Sequence, residues 1–174
     1  MEEIEPEKDV DGLTSFNLGC LLNGYSKIVP CTPMACLKLI QLAEPDLTGK
    51  IALIVGRSRL VGKPLAQLLL TKNCTIIQAH SKTKNLSNLC RMADILVVAA
   101  GKAGLIKGED IKLGAIVIDV GINRLADGHV VGDVKTEEAM GIAGAITPVP
   151  GGVGPMTVAM LLNNVLQIAK QKNS

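Results

Sequence analysis

A glycine-rich segment follows the first strongly apolar run of this chain and has the composition of a phosphate-binding turn. The run Ile51–Val55 leads directly into Gly56, and a second glycine, Gly62, precedes Lys63 and Pro64. Glycines at the end of a strand and at the start of a helix let the backbone approach a pyrophosphate, to which the helix N-terminus offers free N–H groups. The spacing is not Gly-x-Gly-x-x-Gly, so an ordinary strand-to-helix turn remains the alternative.

The residues after the next apolar run indicate which dinucleotide such a turn would bind. Thr75–Ala79 is followed by His80, Ser81 and Lys82, and no carboxylate stands where NAD sites place one to bind the ribose 2′-hydroxyl. A 2′-phosphate would instead find a donor in Ser81 and positive charge in Arg57 and Lys82. The sequence therefore favours NADP over NAD, with a solvated basic loop as the alternative, and His80 is placed to contact adenine or ribose.

Two further apolar runs also end at glycine. Ile95–Ala99 is followed within two residues by Gly101, and Ala115–Val120 is followed by Gly121. Open α/β sheets bind ligands at the carboxyl ends of their strands, so we expect these turns to line the rest of the crevice. Asp119, inside the second run, needs a partner if it is buried, and we expect a structural hydrogen bond.

The elements that position these residues follow from the hydrophobic pattern. Four runs are apolar at consecutive positions, as strands covered on both faces are, and segments with helical spacing separate or flank them. The expected strands are 51–55, 75–79, 95–99, 115–120 and a short fifth at 129–134, and the expected helices are 32–43, 62–72, 85–92 and 155–170. This alternation predicts an α/β fold, a Rossmann-like doubly wound parallel sheet with flanking helices.

The composition restricts the class of partner. The 174 residues suit one domain, the net charge is +2, and the chain has one Tyr, one Phe and no Trp. We therefore expect a small-molecule ligand, and neither nucleic acid nor a membrane as partner. The five cysteines form no Cys-x-x-Cys pair and predict reduced thiols without a metal site. The acidic amino end has no signal-peptide pattern, which predicts a cytoplasmic location.

Two other segments contain residues suited to a ligand. Asp9 and Asp11 are separated by one residue, and we expect a turn here or a carboxylate that binds N–H groups of a ligand. Further on, Ile146–Leu161 (ITPVPGGVGPMTVAML) places three prolines among three glycines before an apolar run with the composition of a helix. Proline fixes φ and glycine leaves space for close approach, so this segment predicts a rigid turn at a ligand or a tight bend.

Seven motifs, in order along the chain, resemble those of the methylenetetrahydrofolate dehydrogenase and methenyltetrahydrofolate cyclohydrolase family. They are KDVDG, PCTP, GRSRLVGKP, HSKT, DVGIN, VGDV and ITPVPGGVGPMTVAML, and they extend from about Glu5 to Ala169. The sequences DGLTS and HSKT are most similar to the dehydrogenase/cyclohydrolase domain of eukaryotic cytosolic C1-tetrahydrofolate synthases. The resemblance implies NADP-dependent oxidation of methylenetetrahydrofolate, followed by hydrolysis of the methenyl product to formyltetrahydrofolate, in a homodimer.

The resemblance also implies roles for individual residues. In the family, the Gly-Arg-Ser turn holds the cofactor phosphates, the serine of His-Ser receives the NADP 2′-phosphate, and the isoleucine of Gly-Ile-Asn packs on the cofactor. With the strand-end glycine, the expected cofactor-binding residues are Gly56, Arg57, Ser58, Ser81, Gly101 and Ile122. The second aspartate of KDVDG binds the pterin ring and PGGVG borders the folate, so the expected substrate-binding residues are Asp11, Pro150, Gly151, Gly152, Val153 and Gly154.

One part of the family pattern has no counterpart in this sequence. Family members carry, ahead of KDVDG, a domain with a Tyr-x-x-x-Lys motif, whose lysine drives the cyclohydrolase step, and a Gln-Leu-Pro-Leu-Pro segment; neither occurs here. The resemblance thus implies the cofactor half of the enzyme without its amino-terminal catalytic domain, no catalytic residue in this chain, and little independent turnover. A catalytically silent NADP-binding module or partner subunit is the alternative. The expected parts are a hinge segment and linking helix at 1–44, the NADP-binding domain at 45–154, and a returning helix and tail at 155–174.

Overall fold

Five strands form one parallel sheet at the centre of the molecule. In the computed structural model, which describes residues 3–172, the strands are β1 (Ile51–Val55), β2 (Thr75–Ala79), β3 (Ile95–Val98), β4 (Ile116–Asp119), β5 (Asn123–Arg124), β6 (Val130–Val131) and β7 (Ala145–Ile146). The sheet has the order β2-β1-β3-β4-β7, and β5 and β6 form a separate antiparallel ribbon. Every residue of β3 is buried, as its run of consecutive apolar residues requires.

Helices pack on the two faces of the sheet. They are α1 (Ser15–Leu22), α2 (Cys31–Ala43), α3 (Gly62–Leu70), α4 (Leu86–Met92), α5 (Thr136–Ala139) and α6 (Val153–Lys172), with short 3-10 turns at Pro6–Lys8 and Gly108–Asp110. On one face, α2 packs against α3 and α6 in a core that contains Leu65 and the sheet residue Ile54. A second core contains Cys90 of α4 and Leu53. Because Leu53 and Ile54 are neighbours in β1, the two cores lie on opposite faces.

The strand order reverses between β1 and β3. The chain leaves β1 through α3 to reach β2 on one side, and it returns through α4 to β3 on the other side of β1. In doubly wound sheets, such a reversal opens a crevice at the carboxyl ends of the strands, where ligands bind. The backbone is closely packed at this crevice: Gly56 has φ +140°, and a Cβ there would overlap the carbonyl oxygen of Ala99.

The predicted fold class is confirmed, and four of the predicted strands lie within one residue of the observed bounds. The predicted strand 129–134 is wrong in extent and in position. A turn at Asp127 and Gly128 folds Val130–Val131 back onto Asn123–Arg124, so this segment forms the ribbon and does not join the sheet. The edge strand next to β4 is β7 instead, and β2 is the other edge strand.

All four predicted helices occur, and α6 begins at Val153, two residues before its predicted start. The hydrophobic pattern does not predict α1, whose sequence SFNLGCLL includes a glycine. Its N-terminus is capped by Thr14, whose Oγ1 accepts the Asn17 N–H at 3.3 Å. Within residues 3–172, no helix combines the length and apolarity that crossing a bilayer requires.

Candidate functional site

A cleft of about 510 Å³ lies at the crevice between β1 and β3. Four of the six residues predicted for the cofactor lie in its walls: Gly56, Arg57, Ser58 and Ser81. The fifth, Gly101, lies between two residues that line the cleft, Ala100 and Lys102. The sixth, Ile122, is 71% exposed and lies outside the lining. The structure therefore assembles most of the predicted cofactor residues around one opening.

The glycine turn packs tightly and leaves N–H groups free. A Cβ on Gly62 would overlap the carbonyl oxygen of Gly56, so α3 can begin this close to the end of β1 only with glycine here. The Oγ of Ser58 accepts the Val61 N–H at 3.0 Å and closes the turn. Within residues 3–172, the backbone N–H groups of Arg57 and Ser58 donate to no protein acceptor, and no side chain caps α3. Such free donors at a helix start are the groups that phosphates bind.

The end of β2 forms a turn on another wall of the cleft. The His80 N–H donates to Thr83 Oγ1 at 2.9 Å, and the His80 carbonyl accepts the Thr83 N–H at 2.8 Å. His80 Nδ1 accepts the Lys82 N–H at 3.2 Å, so the imidazole is held by its own turn. Ser81 remains exposed at the cleft, whereas Lys82 lies outside the lining.

Positive charge reaches the cleft from Arg57 and Lys102, and no acidic residue belongs to its lining within the described chain. Neither cation has an ion-pair partner among residues 3–172. A phosphate bound here would therefore meet cations that the protein itself does not neutralise. Lys102 is not among the residues predicted for the cofactor, although its place directly after the strand-end Gly101 is a signal for it.

Two buried carboxylates organise the loops at the ends of β3 and β4. Asp119 accepts the N–H groups of Gly121 and Asp133 on Oδ1, at 2.9 and 3.0 Å, and the Val134 N–H on Oδ2 at 2.8 Å. Burial raises the pKa of Asp119, although these three N–H groups act in the opposite direction. The expected structural hydrogen bond of Asp119 is confirmed.

Asp133 is the second of these carboxylates, and the sequence analysis gives it no role beyond the VGDV motif. It is fully buried and accepts the backbone N–H groups of residues 100–102, next to the cleft. An aspartate between valines, directly after a glycine, is the local signal that could have indicated a buried acceptor.

The two aspartates near the amino end have different surroundings. Asp9 is buried and accepts the Thr14 N–H at 2.8 Å and an N–H of the Asn17 side chain at 2.9 Å. Burial raises the pKa of Asp9, but these hydrogen bonds outweigh it and the resulting pKa lies below its ordinary value. Asp11, the residue predicted for the substrate, is exposed. Burial raises the pKa of the Cys31 thiol to about 12, and a hydrogen bond to Asp11 acts in the same direction. Asp11 therefore lies beside Cys31, the first residue of α2.

The segment predicted to border the folate contains both surface and core residues. Pro150, Gly151 and Gly154 are exposed, and Gly151 has φ +101°. A Cβ on Gly152 would overlap the carbonyl oxygen of Pro148, so this turn requires glycine. The Val153 side chain is buried in the core, which leaves only its backbone to meet a ligand.

Asp11 and the segment 150–154 lie at different ends of α2. Asp11 approaches Cys31 at the first turn, whereas Gly151 and Gly152 line an opening together with Ala43 at the last turn. The hydroxyl groups of Thr157 and Thr32, 3.4 Å apart, link α6 to the first turn of α2. Among residues 3–172, no group of three His, Cys, Asp or Glu side chains could hold a metal ion.

The parallel sheet, the glycine turn and the cleft at the strand reversal define a Rossmann-type nucleotide-binding domain. The family model for the tetrahydrofolate dehydrogenase/cyclohydrolase, NAD(P)-binding domain, matches residues 30–173. The chain belongs to this family.

Similar proteins and similar solved structures agree with this match. The chain is 57% identical to the bifunctional protein FolD of Sphingopyxis alaskensis, over 97% of this chain and 58% of that protein. It is 49% identical to the bifunctional enzyme FolD, methylenetetrahydrofolate dehydrogenase/cyclohydrolase, from Campylobacter jejuni, with a TM-score of 0.95, over 98% of this chain and 61% of that one. The chain therefore spans about three-fifths of the length of these relatives.

A second similar structure contains ligands. It is the Trypanosoma brucei methylenetetrahydrofolate dehydrogenase-cyclohydrolase in complex with NADP cofactor and an inhibitor, 43% identical, with a TM-score of 0.92, over 97% of this chain and 60% of that one. The expected similarity to eukaryotic C1-tetrahydrofolate synthases stays a prediction.

Proposed function

We propose that this chain binds NADP in the cleft between β1 and β3 and supplies the cofactor half of an enzyme that oxidises methylenetetrahydrofolate. The observation that carries the proposal is the cleft itself, which, as far as residues 3–172 are concerned, combines free N–H groups at the glycine turn with two unpaired cations and no acidic lining residue. A dinucleotide with a 2′-phosphate matches this charge better than one with two free ribose hydroxyls. The NADP complex of the Trypanosoma brucei relative supports the choice.

Each group of the cofactor has a proposed partner. The N–H groups of Arg57 and Ser58 and the start of α3 bind the pyrophosphate, and the Ser81 hydroxyl and the Arg57 guanidinium bind the 2′-phosphate. Gly101 and Ile122 stay predicted cofactor-binding residues. When bound, NADP accepts a hydride from the methylene carbon of the folate.

The folate side is proposed at Asp11 and at Pro150, Gly151, Gly152, Val153 and Gly154. Asp11 is exposed, and its carboxylate can accept N–H groups of a pterin ring. The methenyl product would then be hydrolysed to formyltetrahydrofolate, a step supported by the word cyclohydrolase in the names of the relatives. The same proposal includes three further expectations: domain boundaries at residues 44 and 154, a homodimer, and a cytoplasmic location.

Cofactor selectivity gives the decisive experiment. The nicotinamide fluorescence of NADPH and NADH reports their binding directly. The chain has no tryptophan, so tryptophan emission adds no background to this measurement. We expect NADPH to bind more tightly than NADH. We also expect Arg57→Gln to weaken NADPH binding about tenfold with little change for NADH, since only NADPH loses a charge-assisted hydrogen bond.

Arg59→Gln is the matched control. Arg59 belongs to the same turn, but its guanidinium donates to the Leu13 carbonyl at 2.8 Å, and Arg59 is not among the described residues that line the cleft. The selectivity of this variant should equal that of the wild type. Equal affinities of the wild type for NADPH and NADH, or equal losses for both in Arg57→Gln, would contradict the assignment of the 2′-phosphate site.

A further inference from the structure

The carboxylate of Asp133 is fully buried, and its described partners are all uncharged N–H groups. Oδ2 accepts the backbone N–H groups of Ala100 and Gly101, at 2.6 and 2.9 Å. Oδ1 accepts the Lys102 N–H at 2.8 Å and an N–H of the Asn123 side chain at 2.9 Å. Hydrogen bonds to an ionised acceptor are stronger than those between neutral groups, so one side chain holds a whole loop.

The loop held by Asp133 continues β3 at the wall of the cleft. The last N–H of this strand to join the sheet ladder is that of Ala99, which donates to the Val55 carbonyl at 2.8 Å. The next three N–H groups have no neighbouring strand to bond, and all three donate to Asp133. Ala100, Gly101 and Lys102 are exposed residues, so the shape of this wall depends on the one buried acceptor.

Asp133 is itself fixed by the fold. Its N–H donates to Asp119 Oδ1 at 3.0 Å. A Cβ on Gly121 would overlap the Asp133 carboxyl group, and a Cβ on Gly132 would overlap the Asp119 carboxyl group. Two glycines therefore make room for two carboxylates in contact with the ends of β3 and β4, and the position of Asp133 is set by packing as well as by hydrogen bonds.

We propose that Asp133 is a positioning residue of the cofactor cleft: it fixes the loop 99–102 so that Lys102 and the backbone near Gly101 meet the bound dinucleotide. The inference rests on the proposed function, because it needs a nucleotide in this cleft. It goes further, since it assigns cofactor affinity to a residue that does not line the cleft.

The substitution Asp133→Asn tests the inference with almost no change of volume. The asparagine keeps one acceptor oxygen, and its NH2 group faces two N–H donors in place of the other oxygen. Two of the four hydrogen bonds are lost whichever way the amide is oriented. We expect the Kd for NADPH to rise about tenfold or more.

The control is Asp94→Asn, the same substitution at the amino ends of the strands, opposite the cleft. Asp94 accepts the Ile51 N–H at 2.8 Å, at the amino end of β1, and binds Lys112 Nζ at 2.5 Å. This variant should lose stability and keep the NADPH Kd of the wild type. The double variant Asp133→Asn, Asn123→Asp should recover part of the affinity, because the new carboxylate accepts from the new amide. A merely structural role of Asp133 would not give this recovery of Kd.

The possible outcomes separate the two proposals. A wild-type chain that does not bind NADPH contradicts the proposed function. A wild type that binds NADPH, with Asp133→Asn folded and equal in affinity, overturns the positioning role alone. If Asp133→Asn does not fold, Asn123→Ala takes its place, since it removes one of the four donors to Asp133, together with a longer hydrogen bond to the Val131 carbonyl at 3.4 Å, from a partly exposed residue. In that case a Kd raised about threefold supports the inference, and an unchanged Kd overturns it.

Discussion

Asn164 is the residue whose removal should most directly show how α6 holds the amino-terminal segment. Its side chain is only 6% exposed, and its NH2 group donates to the carbonyls of Val10 and Val29, both at 2.9 Å. The same NH2 group lies 3.5 Å from Cys31 Sγ. One amide on α6 thus joins the segment that carries Asp11 to the start of α2.

The expected loss for Asn164→Ala can be estimated from these contacts. The Val10 carbonyl keeps a weak donor, the Cys31 thiol at 3.7 Å, so its loss is about 1 kcal/mol, that of one hydrogen bond. The Val29 carbonyl is buried with Val29 and has no other described donor, so leaving it unpaired costs about 2 kcal/mol. The variant should therefore lose about 3 kcal/mol of unfolding free energy, or about 6 to 12 °C in Tm.

Urea and thermal unfolding measure this loss, and Asn163→Ala is the control. Asn163 precedes Asn164 in the same helix and is exposed, and alanine has the higher helix propensity, so this variant should be slightly more stable than the wild type. A loss below about 1 kcal/mol for Asn164→Ala, or an equal loss for Asn163→Ala, would refute the reasoning from buried carbonyls.

Two further predictions concern the glycine turn and the buried thiols. Gly62→Ala should lower the unfolding free energy by more than about 2 kcal/mol and weaken NADPH binding, because its Cβ overlaps the Gly56 carbonyl. The control is Gly19→Ala in α1, where nothing lies within 4 Å of the new Cβ, and this variant should stabilise the fold by about 0.5 to 1 kcal/mol. Urea unfolding and NADPH titration distinguish the two variants. Equal unfolding free energies for both would contradict the geometry. A third prediction concerns pH. Burial raises the pKa of three thiols from 9.0 to about 12. Above pH 9 the unfolded chain therefore releases protons that the folded chain retains, and the free energy of unfolding should fall. The thiols are those of Cys31, Cys36 and Cys90. Unfolding free energies that stay constant from about pH 8 to about pH 11 would disprove this coupling.

The parts of the fold that the sequence predicts are those with a strong local pattern. The consecutive apolar residues of β1 and β3 can only be buried on both faces, and the expected strands there match the structure within one residue. The edge strand β7 has two residues, and the sheet accepts it because its neighbour β4 offers a free edge. Such a short pairing leaves no periodic signal in the chain.

The candidate site shows the same limit. Gly56, Arg57, Ser58 and Ser81 meet in one cleft because each stands at the carboxyl end of a strand whose position was predictable. Asp133 was not predictable in this way, since its carboxylate bonds to backbone groups 31 to 33 residues earlier in the chain. Contacts over such separations depend on the completed fold.

Asp133 also decides which backbone groups remain for a phosphate. Because it accepts the three N–H groups of residues 100–102, the β3 side of the cleft offers none of these donors and contributes the charge of Lys102 instead. At the glycine turn, the N–H groups of Arg57 and Ser58 have no protein acceptor within residues 3–172, and the first residue of α3, Gly62, packs against the carbonyl of Gly56. Hydrogen bonds from the backbone and the partial positive charge of a helix start therefore coincide on the β1 side only. A dinucleotide in this cleft would place its pyrophosphate against β1, and the loop after β3 would contact the rest of the dinucleotide.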